Sequence, residues 1–113
     1  MWAVRVSKSF SAAHFISGKE SKCENMHGHN YRVEVTVGSK DLQPPGMVVD
    51  FVELRSRLES ILPDHRLLNE VYNFNPTAEN LARHFYNEMA KFYPVLKITV
   101  WENEDCCAEY SPD

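Results

Sequence analysis

The sequence predicts an α+β fold: a four-stranded antiparallel sheet in the order ββααββ, with two helices on one face. Three observations carry it. Tyr31, Val33, Val35 and Val37 alternate with Arg32, Glu34 and Thr36, the period of a half-buried strand. Two stripes at helical spacing follow, and alternation returns after Pro94. Taken in order, Trp2, Val4 and Val6 alternate, and the pattern runs loosely on to Phe10 and His14 as the first strand. Gly38 ends the second, and Gln43-Pro44-Pro45-Gly46 is turn chemistry. Asp50 and Glu53 form a capping box before the stripe Phe51, Leu54, Leu58, Ile61 and Leu62, which Pro63 stops. After an Asn-rich loop, Thr77 caps the second helix behind Pro76. Its stripe is Leu81, Phe85, Met89 and Phe92. Ile98 and Val100 share one phase of the third strand, Thr99 and Trp101 the other, and a short last strand falls near Ala108 to Tyr110. Sheets of this kind bury one face under their helices.

At 113 residues, the chain reads as one domain, 1–113. Twelve Lys and Arg against sixteen Asp and Glu leave a net charge of −4, which argues against nucleic acid as a partner. No apolar run is long enough to span a bilayer, so no membrane association is expected. The first residues lack the apolar core of a secretory signal, and three cysteines (Cys23, Cys106, Cys107) are an odd count. Both features suit a reducing cytoplasm with a thiol free for chemistry. Five Tyr, six Phe and two Trp are more aromatic surface than so small a core absorbs, so some are expected in subunit contacts.

His27-Gly28-His29 is the sharpest local signal. Residues i and i+2 of an extended chain face one side, so both imidazoles can reach one ion, and Gly28 lets backbone approach closely. The pair alone reads equally as two surface histidines. His14 supplies a third ligand, because it ends the strand that should pair with the one His29 opens. Three neutral imidazoles with one position left open are a catalytic zinc arrangement. Glu102 shares phase with Ile98 and Val100 and is expected on the apolar side of the sheet, where a lone carboxylate needs a partner. Asp64 beside His65 can fix that ring's tautomer, although Asp-His is a common dipeptide; His84 reads as an ordinary helix residue. Two other classes fit parts of the pattern. His27-x-His29-x4-Glu34 has a cupin-like spacing, but alternation puts Glu34 on the opposite face from the histidines, and two helices sit poorly in a jelly roll. Zinc could also serve only to hold an oligomer together.

The segments Phe10-Ser11-Ala12-Ala13-His14, Cys23-Glu24-Asn25-Met26-His27-Gly28-His29-Asn30-Tyr31, Val48-Val49-Asp50-Phe51, Asp64-His65, Asn75-Pro76-Thr77 and Val100-Trp101-Glu102 together resemble the 6-pyruvoyltetrahydropterin synthase and 6-carboxytetrahydropterin synthase family. The resemblance implies a lyase with the tunnelling fold, whose subunits join their sheets into a barrel. It implies a homohexamer, a dimer of trimers, with active sites between subunits, and Zn2+ on His14, His27 and His29. The implied substrate is 7,8-dihydroneopterin triphosphate. Cys23 fits the branch that makes 6-carboxytetrahydropterin for queuosine, and Glu24 fits the branch that cleaves the side chain to 6-hydroxymethyl-dihydropterin for folate; the sequence carries both in Cys-Glu-x2-His-Gly-His. By the same resemblance Cys23 is the base, Asp64 and His65 are a dyad delivered from a neighbouring subunit, Glu102 anchors the pterin, and the residues around Thr77 touch it. Lys8, Lys19, Lys22 and Arg66 lie near matching segments and are candidates for the triphosphate. Pro63 and Asn103 depart from the family pattern, and Cys106-Cys107 has no assigned role.

Overall fold

The computed structural model describes residues 1–18 and 24–113. Two long strands, β1 (Trp2–His14) and β2 (His27–Ser39), pair antiparallel in unbroken register from Trp2 opposite Ser39 to His14 opposite His27. Their shared inward face is apolar. Phe10 stacks on Tyr31 with ring centroids 4.8 Å apart, and Val33, Val35 and Val37 are buried. Strand β4 (Val95–Trp101) lies antiparallel on the other side of β2, and β5 (Cys107–Tyr110) pairs with β4 at the edge.

The helices α1 (Phe51–Ile61) and α3 (Ala78–Met89) cover that inward face. The Asp50 carboxylate accepts the Val52 N–H at 2.8 Å, and Thr77 Oγ1 accepts the Asn80 N–H at 3.1 Å, so both caps form where the sequence puts them. Glu53, however, accepts a hydrogen bond from the Tyr93 hydroxyl at 3.2 Å, tying α1 to the segment after α3. Leu54 and Leu58 of α1, and Leu81, Ala82, Phe85 and Met89 of α3, fill the core. The ends of both expected stripes lie outside it. Phe51 is 58% exposed, and Phe92 is 55% exposed because α3 stops at Met89; the Arg57 guanidinium lies 4.0 Å from the Phe92 ring centre.

The sheet has five strands and is mixed, not four and antiparallel, in the order β3-β1-β2-β4-β5. Strand β3 (Arg66–Leu67) runs parallel to Ala12–Ala13, and the short helix α2 (Leu68–Val71) follows directly. Free N–H and C=O groups along the edge of β1 need partners, and two residues after a proline provide them. So short a strand leaves no periodicity to read. Among the described residues, no helix is long and apolar enough to cross a membrane.

Candidate metal centre and dyad

The end of the β1–β2 ladder brings His14 opposite His27 and Ala12 opposite His29. His14 shares the inward phase of Phe10 and Ala12, and His27 and His29 that of Tyr31. All three rings therefore stand on the helix-bearing face. Their centroids are 4.5, 4.8 and 5.1 Å apart with planes 68–90° to one another, and one ligating atom from each lies within 4.8 Å of the other two. This group can hold a metal ion.

The surroundings decide which nitrogens face inward. His14, 1% exposed, hydrogen-bonds through Nδ1 to the Pro76 carbonyl oxygen at 2.8 Å, and His27 Nδ1 does the same with the Asn25 carbonyl at 2.7 Å. A carbonyl only accepts, so both Nδ1 atoms carry the proton and both Nε2 atoms present lone pairs. Those two Nε2 atoms face each other at 2.9 Å, and the buried Nε2 of His29 has no hydrogen-bond partner. Two opposed lone pairs and an orphaned nitrogen are satisfied together by one cation, so the donor set fits zinc. Burial holds His14 and His29 below the usual imidazole pKa, which keeps them neutral as ligands.

Glu102 follows β4 by one residue and reaches the same place. Its carboxylate oxygens lie 3.5 Å from His29 Nε2 and 4.0 Å from His14 Nε2. The phase argument thus finds its partner in the histidines. The Glu102 N–H is held by the Cys106 carbonyl at 3.0 Å, and Asn103 Oδ1 accepts the N–H groups of Asp105 and Cys106 to close the turn. Cys106, which closes that turn, and Cys107, which opens β5, carry exposed thiols.

Asp64 and His65 sit elsewhere. Asp64 Oδ1 accepts the Ser11 N–H at 2.9 Å, its Oδ2 lies 2.9 Å from His65 Nδ1, and the His65 N–H bonds the Ser11 carbonyl at 2.6 Å. The dyad is thus pinned to the edge of β1. His65 has φ of +57°, a left-handed backbone that is rare for a residue with a side chain and that collects at functional sites. The Ser11 amide, and next the His65 ring, hold Asp64 below the usual carboxylate range. A groove of about 510 Å³ beside the dyad is lined by Ser11, Ala12, Ala13, Gly28, His29 and Asn30 of the two long strands together with His65, Arg66 and Leu67, so it reaches from the dyad to His29 of the trio. Of these, Ser11, Ala13, Gly28 and Asn30 alternate with the ligands along their strands, and Ala12 and His29 share the ligands' phase. Within one chain, no hydrogen bond or ion pair among described residues joins dyad to trio.

Cys23 lies outside the described residues, as do Lys19 and Lys22. Glu24 is exposed just ahead of the His27 carbonyl partner. Thr77 spends its hydroxyl on the α3 cap, immediately after the carbonyl that fixes His14. Glu34 is engaged on the far face by Trp101 Nε1 at 2.5 Å and Arg5 at 3.3 Å, which removes the cupin ligand set. His84 packs among Tyr72, Phe74 and Phe85. The sequence reading missed Tyr31, whose hydroxyl lies 3.1 Å from His14 Nδ1, and two asparagines. Asn69 pairs both backbone groups of Phe15, and Asn75 both of Ser17, each bond at 3.0 Å, clamping the segment that follows His14. The Asn-rich composition of that loop was the available signal.

The family model described as 6-pyruvoyl tetrahydropterin synthase matches residues 3–113, and the chain belongs to that family of enzymes. A protein of Archaeoglobus fulgidus provisionally named 6-carboxy-5,6,7,8-tetrahydropterin synthase is 42% identical over 109 residues, covering 94% of this chain and 92% of its own. The 6-carboxy-5,6,7,8-tetrahydropterin synthase of Rickettsia bellii is 33% identical over 129 residues, covering 88% and 93%. Among solved structures, the 6-pyruvoyl tetrahydropterin synthase of Caenorhabditis elegans superposes with a TM-score of 0.85 at 26% identity, covering 99% of this chain and 96% of that one.

Proposed function

We propose that this chain is a zinc-dependent lyase that converts 7,8-dihydroneopterin triphosphate and water to 6-carboxy-5,6,7,8-tetrahydropterin, with the triphosphate and the outer side-chain carbons, as acetaldehyde, leaving, in a queuosine-type pathway in the cytoplasm. The convergence of His14, His27 and His29 beside Glu102, in a chain of this family, is the observation that carries the reading. When bound, zinc supplies Lewis acidity toward the hydroxyls of the substrate's side chain. The Glu102 carboxylate accepts the adjacent 2-amino and ring N–H donors of the pterin, a bidentate match that orients the side chain. Cys23 takes the first proton as thiolate, and His65, its tautomer fixed by Asp64, moves the second through Nε2. The dyad is held at the edge of β1 and makes no hydrogen bond or ion pair with its own chain's trio among the described residues, which supports a site completed across subunits, in a homohexamer built as a dimer of trimers.

Glu24 beside Cys23 favours a second product, 6-hydroxymethyl-7,8-dihydropterin for folate; the pyruvoyl-type reaction, with loss of triphosphate, uses the same site. Product analysis of purified wild type, Cys23→Ala and Glu24→Ala separates them. The reading expects carboxypterin from the wild type and a loss of about 10²- to 10⁴-fold in Cys23→Ala. Hydroxymethylpterin that disappears only in Glu24→Ala assigns the folate branch. Zinc-loaded protein with no pterin product overturns the enzyme reading and leaves a metal that only supports assembly.

A further inference from the structure

Cys106 and Cys107 are the motif that the proposed chemistry leaves unused. Both thiols are exposed, neither is bridged to another described residue, and neither belongs to the trio that can hold a metal. They line one small cavity of about 200 Å³ together with Glu102, Ala78 and Glu79. Their backbone closes the turn that carries Glu102. The Cys106 carbonyl accepts the Glu102 N–H at 3.0 Å, and Cys107 pairs with Trp101 across β4 and β5. The Cys106 N–H is in turn held by Asn103 Oδ1 at 2.9 Å.

Two consecutive thiols can join only through a small ring, and the peptide between Cys106 and Cys107 is one side of it. That peptide is trans. Consecutive Cα atoms of a trans peptide lie about 3.8 Å apart, short of the roughly 4.4 Å at which disulfide spans begin. Ring closure therefore twists the peptide, and its carbonyl is the one that holds the Glu102 N–H. Such a strained bond is readily reduced, so the change reverses. The turn itself, Glu102-Asn103-Glu104-Asp105, has three carboxylates and no cation, which favours a cationic oxidant over an anionic one.

We propose that Cys106 and Cys107 are a reversible oxidation site that couples small disulfides to the placement of Glu102. In a reducing compartment the pair rests as two thiols. One thiolate attacks a sulfur of the small disulfide, forms a mixed disulfide and expels one small thiolate. The neighbouring thiolate then attacks the protein sulfur of that bond and expels the second. The two protein thiols thereby lose two electrons and two protons, and the small disulfide is reduced to two thiols. Glu102 loses its N–H partner, and its carboxylate, 3.5 Å from His29 Nε2, shifts from that position. Weaker pterin binding as the consequence rests on the functional reading above; the thiol chemistry and the release of Glu102 do not.

Cystamine, a cationic disulfide, is the probe, applied to the whole zinc-loaded protein as Cys23→Ala, so that the third thiol is absent and binding is read without turnover. Mass spectrometry should find the fragment containing Cys106 and Cys107 lighter by two hydrogens, and a phosphine reductant should restore it. Hydrogen exchange at the Glu102 amide should speed about fivefold on oxidation, the loss of one bond to a neutral carbonyl. Affinity for 7,8-dihydroneopterin triphosphate, measured calorimetrically, should fall about tenfold or more. Cys107→Ser added to that protein takes up one cystamine half, closes no ring, and should keep the exchange rate and affinity of the reduced form. A pair that stays a dithiol or stops at mixed disulfides, a ring that leaves Glu102 exchange unchanged, or an equal response in Cys107→Ser overturns the proposal. A ring with faster exchange, in a protein that binds no pterin in either state, sinks the functional reading alone. Pterin bound equally in both states sinks the control of binding alone.

Discussion

Single alanine substitutions at His14 and His29 have opposite structural logic once metal is removed. His14 is buried, and its Nδ1 proton satisfies the Pro76 carbonyl at 2.8 Å with the Tyr31 hydroxyl 3.1 Å away. Truncation leaves the Pro76 carbonyl a buried unpaired acceptor, at about 1–3 kcal/mol, and opens a cavity beside Tyr31 that adds about 1–2 kcal/mol. A loss of about 2–5 kcal/mol is expected. His29 instead carries the orphaned Nε2, so truncation removes a burden of about 1–3 kcal/mol while giving up packing against Tyr31, 5.4 Å away between ring centres. Those terms offset, and His29→Ala should change metal-free stability by less than about 1 kcal/mol. Zinc at 100 times its dissociation constant should then add about 2.7 kcal/mol to the wild type and far less to His29→Ala. Urea unfolding followed by far-UV circular dichroism, with EDTA or zinc and at one protein concentration, reads both effects. Equal losses for the two variants in EDTA, or an undiminished zinc gain in His29→Ala, would refute the reasoning.

Thr77→Ala removes the acceptor for the Asn80 N–H and should lower stability by about 1 kcal/mol, read as a shift of the urea midpoint, with Thr77→Ser restoring most of it. The pH dependence follows from burial, which holds His14, His29 and His84 below 6.5 in the folded chain. The unfolded chain therefore binds protons first as pH falls. Metal-free stability should be level above about pH 7 and decline as pH drops through 6.5 toward the lowered values. His84→Gln, remote from the metal site, should flatten part of that slope; an unchanged slope contradicts the burial argument.

The parts of the molecule governed by period were legible in the sequence. Alternation located β1 and β2, set His27 and His29 on one side of their strand and put Glu102 on the apolar side of its sheet; the imidazoles and the carboxylate meet on the core side. Parts governed by backbone demand were not. Arg66–Leu67 becomes a strand because the edge of β1 lacks partners, and nothing in two residues announces it. Phe51 and Phe92 keep helical spacing yet fall outside the core, because a stripe does not say where helix or core ends. The Asp64–His65 dyad was visible as a dipeptide, but its attachment to Ser11 depends on hydrogen bonds across 53 residues. That attachment holds the dyad at the edge of β1 without a bond to its own chain's histidines among the described residues, and the proposed chemistry brings in a second subunit there.

Metal stoichiometry coupled to turnover addresses the claim on which the chemistry rests. Protein purified without added metal should carry about one zinc per chain, the number one trio can hold. It should lose zinc and pterin product together on chelation, recover both on adding zinc, and do neither when His27 and His29 are both alanine. Chelated protein that makes product at the full rate, or a double variant that retains its zinc, would contradict the account.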